Sequence, residues 1–290
     1  MTEPGRLFVF GLGFSGSVLA RRLRGLGWQV AGTTRDAGKR AALLAEGIET
    51  LPFDRDHPLP AGALAGVTHA VVSVPPDAEG DPVAALHGLD LAALPTLRWL
   101  GYLSTTGVYG DHQGGWVDET TPLTPDVSRS ERRAGAEAAW LDLLRSHGLP
   151  VHIFRLAGIY GPGRSAIDMI RAGRARRIIK PGQVFCRIHV EDIATVLQAS
   201  MARPDPGAIY NVADDEPAAP EVPIEEAARL LGVAPPPAIP FDEADLSPMA
   251  ASFYRDSRRV RNDRIKTDLG IRLTYPTYRE GLRQVLESSG

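Results

Sequence analysis

The stretch RLFVFGLGFSG, residues 6–16, joins a strand pattern to a helix pattern through a glycine-rich turn. Residues 6–11 form a short apolar run of the kind found in buried parallel strands. Residues 14–26 place apolar side chains at helical spacing, which indicates an amphipathic helix. The chain is therefore predicted to begin as strand, glycine turn and helix.

The alternation of strand and helix patterns continues beyond this first unit. Further strands are predicted at residues 28–34, 48–53, 68–74, 97–104 and 151–156, and helices at 37–46 and 128–147. Such alternation favours an α/β fold with a doubly wound parallel sheet of the Rossmann type, joined by right-handed crossovers.

Gly11, Gly13 and Gly16 follow the GxGxxG pattern that binds the pyrophosphate of a dinucleotide between a first strand and a first helix. The first glycine allows a tight turn, the second lets the backbone approach the phosphates, and the third lets the helix pack closely. The helix N-terminus offers N–H groups and a positive dipole to the same phosphates. With Phe14 and Ser15, these glycines form the predicted cofactor-binding loop, and a purely structural glycine turn is the alternative.

The end of the second predicted strand bears on which dinucleotide binds. An acidic residue there would accept from a ribose 2′-hydroxyl and repel a 2′-phosphate, but this strand ends Thr33-Thr34-Arg35. A guanidinium pairs well with phosphate and the two hydroxyls can donate to it, so NADP(H) is favoured. A solvated surface Arg35 is the alternative, and Asp36 can contact an adenosine ribose, so NAD(H) stays open. The predicted cofactor site is completed by two residues where the fourth strand ends, Val74 and Pro75.

The regular alternation weakens after residue 163. A helix at 190–202 and a short strand at 208–212 are still predicted, but proline-rich connections follow them. Proline fixes φ and lacks a backbone donor, so these connections suit ordered loops more than new sheet. We predict a nucleotide-binding domain at 1–165, to which 187–213 returns, and a small irregular C-terminal cap formed by 166–186 and 214–290.

The composition is that of a folded globular chain, since 43% of the 290 residues are hydrophobic and 23% are charged. With 32 Lys and Arg against 35 Asp and Glu, the net charge of −3 does not favour nucleic acid or anionic lipid as partners. The single cysteine, Cys186, excludes an internal disulfide framework and fits a reducing compartment. No signal peptide, membrane-spanning run or zinc-ligand spacing occurs. We therefore expect a cytoplasmic protein with no nucleic-acid or membrane partner and no metal site.

Four segments, in order along the chain, resemble the epimerase/dehydratase branch of the extended short-chain dehydrogenase/reductase superfamily. They are STTGVYG at 104–110, RLAGIYGPG at 155–163, RIHVEDIA at 187–194 and YNV at 210–212. The resemblance spans about residues 6–285 and implies an NAD(P)-binding Rossmann fold. It also implies that Thr105 hydrogen-bonds the reacting oxygen of a substrate, whereas His189 and Asp192 orient loops and cap a helix.

The chain departs from this family at the acid/base pair. The family's signature is a Tyr followed four residues later by a Lys, which lowers the pKa of the Tyr and lets the phenolate exchange a substrate proton. Alignment on Glu137 puts Arg129 at the Tyr position and Arg133 at the Lys position, and no tyrosine of the chain has Lys four residues later. Arg133 can donate to ribose hydroxyls, but a guanidinium does not exchange protons near neutral pH. The remaining candidates for proton transfer near the strand end are Thr105, Tyr109, Ser130 and Glu131, of which Thr105 and Tyr109 are favoured, and packing or capping is the alternative role for each.

Two functions are compatible with these features. The favoured one is an NAD(P)-dependent oxidoreductase or epimerase that acts on a small or nucleotide-sugar-like substrate with a non-standard acid/base. In that case Arg164, Arg187 and the region of Arg255 would contact an anionic substrate. The alternative is a non-catalytic NADP(H) sensor or regulatory protein. The sequence identifies no particular substrate, and it allows a homodimer without fixing the oligomeric state.

Overall fold

The computed structural model describes residues 3–288, so residues 1–2 and 289–290 of the predicted domains lie outside the described range. The strands in that range are β1 (Arg6–Phe10), β2 (Gln29–Thr33), β3 (Glu49–Leu51), β4 (His69–Val72), β5 (Trp99–Thr105), β6 (Trp116–Val117), β7 (Val151–Leu156), β8 (Gly158–Tyr160), β9 (Arg177–Ile179), β10 (Arg187–His189), β11 (Ile209–Val212), β12 (Ala238–Pro240) and β13 (Arg259–Val260). The α-helices are α1 (Phe14–Gly25), α2 (Ala37–Ala45), α3 (Pro82–Ala92), α4 (Ser128–His147), α5 (Ala166–Arg171), α6 (Val190–Ala202), α7 (Val222–Leu231), α8 (Pro248–Phe253), α9 (Asp263–Thr267) and α10 (Tyr278–Glu287).

Seven of these strands form one sheet in the order β11-β7-β5-β4-β1-β2-β3. β1 pairs in parallel with both β2 and β4, and the pairs β2–β3 and β4–β5 are parallel as well. The chain builds outward from β1 to β3 and then returns to β4, so the strand order reverses beside β1. Open α/β sheets bind ligands at the carboxyl ends of strands that flank such a reversal. The doubly wound parallel sheet predicted from the sequence is confirmed.

β1 is buried on both faces, as its continuous apolar run predicts, with residues 7–10 fully inaccessible. The rings of Phe8 and Phe10 pack edge to face with centroids 4.8 Å apart, and Phe53 packs against Phe10 at 5.8 Å. Trp140 of α4 belongs to the same apolar cluster. This helix is therefore anchored on the sheet through a fully buried indole.

The chain folds as two compact units. Unit 1 comprises the chain up to Thr105, Ser128–Arg155 and Ala194–Tyr210, and unit 2 comprises Thr106–Val127, Leu156–Ile193 and the chain from Asn211. The sequence-based domain limits differ from this division, because they assigned 106–127, 156–165, 187–193 and 211–213 to the nucleotide-binding domain. The first three of these segments carry short strands that pair within unit 2, β6 with β13 and β8 with β10. Such two- and three-residue pairings leave no periodicity in the sequence.

Unit 2 is held together by a small apolar cluster under α5, α7 and α10. Its fully or nearly buried members include Ile167, Ala227, Tyr278, Leu282 and Val285. α10 begins with a capping box, in which the Thr277 side chain and the Glu280 carboxylate each bind the other's backbone N–H. α5, α7 and α10 therefore share a defined apolar core within unit 2.

Asp192, in the first turn of α6, fixes the loop that leads into α10. Its two carboxylate oxygens accept hydrogen bonds from the backbone N–H groups of Thr274 and Tyr275, at 2.7 and 2.9 Å. The neighbouring His189 is fully buried, and its ring packs against Tyr160 and Tyr275. Both contacts agree with the loop-orienting role that the family resemblance implies for this segment.

No helix in residues 3–288 is both long enough and apolar enough to cross a membrane.

Candidate functional site

The glycine loop after β1 is held in place by hydrogen bonds to β2. Gly11 adopts a φ of +87°, a backbone conformation that would be strained in a residue with a side chain. Its N–H donates to the Thr33 hydroxyl at 2.9 Å. The Leu12 N–H donates to the Thr33 carbonyl at 2.7 Å, and the Gly13 N–H donates to the Gly11 carbonyl at the same distance. The loop is therefore a fixed turn at the carboxyl end of β1, where the strand order reverses.

A side chain would have a different effect at each of the three glycines of this loop. A Cβ on Gly16 would lie 2.8 Å from the Gly11 carbonyl oxygen and 2.9 Å from a Val9 methyl, so this glycine is needed for packing of α1 on β1. A Cβ on Gly11 would lie 3.2 Å from the Val74 nitrogen. Gly13 is exposed, and a Cβ there would meet no atom closer than 3.9 Å. Nothing in the protein requires a glycine at position 13, whereas a pyrophosphate lying on this loop would.

The N-terminus of α1 is open to an anion. Its N-cap is Gly13, no side chain caps it, and no acidic residue lies in the first turn. An uncapped N-terminus with positive dipole charge binds phosphate through backbone N–H groups. Of the predicted loop residues in this turn, Phe14 is half-buried and Ser15 is buried. The donor set of the loop thus fits the phosphates of a dinucleotide.

The end of β2 presents one cation without an internal partner. The guanidinium of Arg35 is exposed, and it forms no hydrogen bond or ion pair within the described chain. Thr33 is buried with its hydroxyl occupied by Gly11, so it does not reach outward as the sequence pattern suggested. Thr34 is half-buried and accepts from the Asp36 N–H at 3.3 Å. Asp36 itself caps α2, accepting from the Lys39 N–H at 2.9 Å.

The glycine loop and the end of β2 form one side of the candidate cofactor site, which we call the cradle. The segment after β4 forms its other wall. The Ser73 N–H donates to the Phe10 carbonyl at 2.9 Å, which brings half-buried Val74 beside Gly11 and leaves Pro75 exposed. Further along this segment, Arg55 pairs with Asp77 through two hydrogen bonds of 2.8 Å. The predicted cofactor residues therefore lie together at the carboxyl ends of β1, β2 and β4.

A buried charged cluster fixes α4 against β5 and β7. Glu137 and Arg155 are 2% and 3% exposed, and the guanidinium binds the carboxylate with contacts of 2.8 and 3.2 Å. The Ser104 hydroxyl donates to the same carboxylate. Sequence reasoning used Glu137 only to align the helix, because a pair separated by 18 residues on different elements leaves no local pattern.

Arginines occupy both positions at which the family has its catalytic Tyr and Lys, and both lie on α4. Arg133 is half-buried and donates to the Leu103 carbonyl at 2.7 Å, with its guanidinium 5.7 Å from the centre of the Tyr102 ring. Burial raises the pKa of Tyr102, and the Arg133 charge only partly opposes that shift. Arg129 is exposed near the start of the helix. Neither the arginines nor the buried Tyr102 can exchange a proton at neutral pH.

The two candidate catalytic residues lie in different environments. Thr105 is the last residue of β5 and is half-buried. Tyr109 belongs to unit 2 and is fully buried, and its hydroxyl donates to the Asn211 side chain at 2.7 Å. Its carbonyl oxygen accepts from the Thr124 hydroxyl at 2.6 Å. Tyr109 is thus committed to internal contacts, whereas Thr105 lies at a strand end of the kind that binds ligands.

The arginines predicted to contact an anionic substrate also differ in their exposure to solvent within unit 2. Arg164 is exposed, and Arg255 is exposed with Asp126 at 4.0 Å. Arg187 is largely enclosed, donating to the carbonyls of Phe185 and Ala218 at 3.0 and 3.3 Å. Burial lowers the pKa of Arg187, and the nearby Asp214 carboxylate opposes this shift.

Comparison with known proteins agrees with this geometry. A model described as NAD dependent epimerase/dehydratase family matches residues 7–213. Protein YeeZ of Escherichia coli (strain K12) is 34% identical over 247 residues, which are 80% of this chain and 85% of that protein. The solved structure of a functionally unknown conserved protein from Silicibacter pomeroyi DSS is 54% identical, with a TM-score of 0.91, 98% of this chain covered and 99% of that chain.

A more distant structure shares the fold. UDP-glucuronic acid 4-epimerase from Bacillus cereus, solved in complex with NAD, is 16% identical with a TM-score of 0.79, and the match covers 97% of this chain and 96% of that chain. On the family match, the YeeZ relationship and the GxGxxG cradle at the strand-order reversal, this chain belongs to the NAD dependent epimerase/dehydratase family.

Proposed function

We propose that the protein is an NADP(H)-dependent oxidoreductase or epimerase that works without the Tyr–Lys pair of its family. The observation that carries the proposal is the open space over Gly13 at the uncapped N-terminus of α1, with the unpartnered Arg35 at the neighbouring strand end. The first feature fits a pyrophosphate, and the second fits a 2′-phosphate.

The cofactor would be held by residues of unit 1 alone. Gly11, Gly13 and the first turn of α1 would bind the pyrophosphate, Arg35 the 2′-phosphate, and Val74 and Pro75 would line the adjoining wall. Asp36 already accepts a backbone hydrogen bond as the cap of α2, which supports the choice of NADP(H) over NAD(H). When bound, a nicotinamide dinucleotide supplies hydride chemistry.

Thr105 is the residue proposed to contact the substrate. Its hydroxyl can donate to a carbonyl oxygen and so stabilise negative charge that develops there, but it is too weak an acid to replace a tyrosine with a lowered pKa. Arg133 donates from Nη1 to the Leu103 carbonyl and, at 3.4 Å, to the Tyr102 hydroxyl, so its Nε and Nη2 groups are the ones that would donate to ribose hydroxyls. In this proposal the proton comes from solvent or from the substrate itself.

Cofactor binding tests the first half of this proposal. Arg35→Ala should weaken NADPH by about 1.5–3 kcal/mol, the value of a charge-assisted hydrogen bond, and leave NADH nearly unchanged. Arg98→Ala is the matched control, because Arg98 is also exposed but directly precedes β5, at the opposite edge of the sheet. Equal losses for NADPH and NADH would assign Arg35 to the adenosine wall instead.

Turnover tests the second half and separates an enzyme from a sensor. With NADPH and a generic diketone such as 9,10-phenanthrenequinone, Thr105→Val should cut the rate about 10²–10⁴-fold, the worth of one acid–base or charge-stabilising group, with NADPH affinity unchanged. A protein that binds NADPH tightly yet oxidises none of it with any carbonyl supports the sensor. The two arginines at positions 129 and 133 are the observation that favours this second candidate.

A further inference from the structure

The wall of the cradle that follows β4 is tied down by a side chain from another segment. Residues 74–80 contain Pro75 and Pro76, which have no N–H to donate, and the turn after them is closed by hydrogen bonds between Asp77 and Gly80. Within residues 3–288, the hydrogen bonds that reach 74–80 from elsewhere in the chain come from Arg55. The position of this wall therefore depends on Arg55.

Arg55 holds the turn through several contacts. Its Nε and Nη2 groups each donate to one carboxylate oxygen of Asp77 at 2.8 Å, and Nη2 also donates to the Gly80 carbonyl at 3.2 Å. The Glu79 carboxylate lies 3.8 Å from Nη1. Exposed ion pairs usually contribute little to stability, but a two-point contact between guanidinium and carboxylate is among the stronger ones. We call the Arg55–Asp77 contact the clasp.

The segment that carries Arg55 is itself anchored on both sides. Phe53 is 4% exposed, and its ring packs on Phe10, the last residue of β1, with centroids 5.8 Å apart. Beyond Arg55, the Leu59 N–H donates to the buried His87 ring of α3 at 3.0 Å. The clasp thus joins a wall with few hydrogen bonds of its own to a segment that is fixed on the core of unit 1.

Both segments meet the glycine loop at the carboxyl end of β1. Phe53 packs on Phe10, which directly precedes Gly11, and a Cβ on Gly11 would lie 3.2 Å from the Val74 nitrogen. The clasp therefore closes a ring that runs from β1 through residues 53–55 and back through 74–77 to the glycine loop. A dinucleotide on this loop would have Val74 and Pro75 as its wall, so the clasp fixes that wall without having to touch the cofactor.

We propose that the Arg55–Asp77 clasp sets how long NADP(H) stays in the cradle. Arg55 is then a positioning residue, because it acts on the cofactor through the wall that it holds. Release of the cofactor requires this wall to move away, and movement of the wall requires the clasp to open. The inference rests on the proposed cofactor site, but it needs neither turnover nor a particular substrate.

The charges of the clasp allow a test that separates holding of the wall from simple electrostatics. NADPH is a polyanion, so on charge alone the loss of the Arg55 cation should speed its release, and the loss of the Asp77 anion should slow it. If the clasp holds the wall, Arg55→Met and Asp77→Asn should act in the same direction, because each variant breaks it. The two variants thus change the local charge in opposite directions and the clasp in one.

NADPH release is measured by stopped flow, as the loss of NADPH fluorescence when the complex is mixed with excess NADP⁺. Both variants should release NADPH about fivefold faster or more, the ratio expected at the upper end for an exposed ion pair. The double variant should be no faster than the faster single variant. Arg21→Met is the matched control, because it breaks another two-point pair of unit 1, with Glu46 at 2.6 and 2.9 Å. It should change the release rate less than about twofold.

A release rate that rises in one clasp variant and falls in the other, or that is unchanged in both, would overturn the proposal. Hydrogen exchange of the protein without cofactor gives a second readout. The backbone N–H groups of Asp77, Glu79 and Gly80 should exchange faster in Arg55→Met than in Arg21→Met, and equal exchange would contradict the holding role. A protein that binds no NADP(H) would refute the proposed function and this inference with it, whereas binding with equal release rates would refute the clasp alone.

Discussion

Two glycines of the same loop, Gly13 and Gly16, should respond to valine in opposite ways. Both belong to the GxGxxG pattern, in which the second glycine is expected to let the backbone approach the phosphates and the third to let the helix pack closely. In the structure, a Cβ at position 16 meets the Gly11 carbonyl oxygen at 2.8 Å, whereas a Cβ at 13 meets nothing within 3.9 Å. Gly16→Val should therefore act on folding, and Gly13→Val should act on ligand binding.

The stability effects follow from these distances. At position 16, overpacking against Gly11 and Val9 should lower the free energy of unfolding by about 1–3 kcal/mol or more. The better helix propensity of Val offsets only a few tenths of a kcal/mol of this loss. At position 13, the backbone is extended with φ of −76°, so a side chain is allowed. The lower entropy of the unfolded chain contributes about 0.4–1 kcal/mol, and loss of a glycine N-cap costs a similar amount. Gly13→Val should thus melt within a few degrees of the unaltered protein.

The binding effect should be large at position 13. A branched side chain there would hold the pyrophosphate off the helix N-terminus and break at least one charge-assisted hydrogen bond, worth about 1.5–3 kcal/mol. NADPH affinity should fall roughly 10- to 150-fold, as measured by titration calorimetry, while circular dichroism melting follows the fold. A well-folded Gly13→Val protein with unchanged affinity would show that the loop does not bind the dinucleotide. An unimpaired melting temperature in Gly16→Val would contradict the packing argument.

Two further predictions concern the buried polar groups of unit 1. Arg155→Met should lower the free energy of unfolding by about 3–5 kcal/mol, because it leaves Glu137 as an uncompensated buried charge, and the double variant with Glu137→Leu should recover much of that loss. Denaturant unfolding checks both, and a single-variant loss below about 1 kcal/mol would refute the pairing argument. Burial lowers the pKa of His152 to about 4, so the folded state binds its proton less well than the unfolded chain, and stability present above pH 6.5 is lost as the pH falls toward 4. His152→Gln should make the loss of unfolding free energy between pH 7 and 5 smaller by about 2 kcal/mol, whereas the exposed control His147→Gln should leave the slope unchanged. An unaltered slope in His152→Gln would refute the buried neutral imidazole.

The sequence by itself determined the fold class and the place of the cofactor cradle. Strand and helix periods are local, so the predicted limits of β1, α1, α4 and β7 agree with the structure to within one residue. Gly11 needs its positive φ for reasons set by its own turn. The absence of the Tyr–Lys pair is likewise a local fact, because both residues would lie four positions apart on one helix.

Tertiary structure alone decided which polar groups are free to act. Thr33 looked available beside Arg35 until its hydroxyl was seen to accept from Gly11, 22 residues away. Tyr109 looked like a candidate acid until its hydroxyl was found on Asn211, 102 residues away. Asp214 carried no signal at all, because its burial beside Arg187 depends on what the rest of unit 2 places around it. Periodicity tells which face of an element is buried, but the partners on that face come from segments remote in sequence, and only the packed chain brings them together.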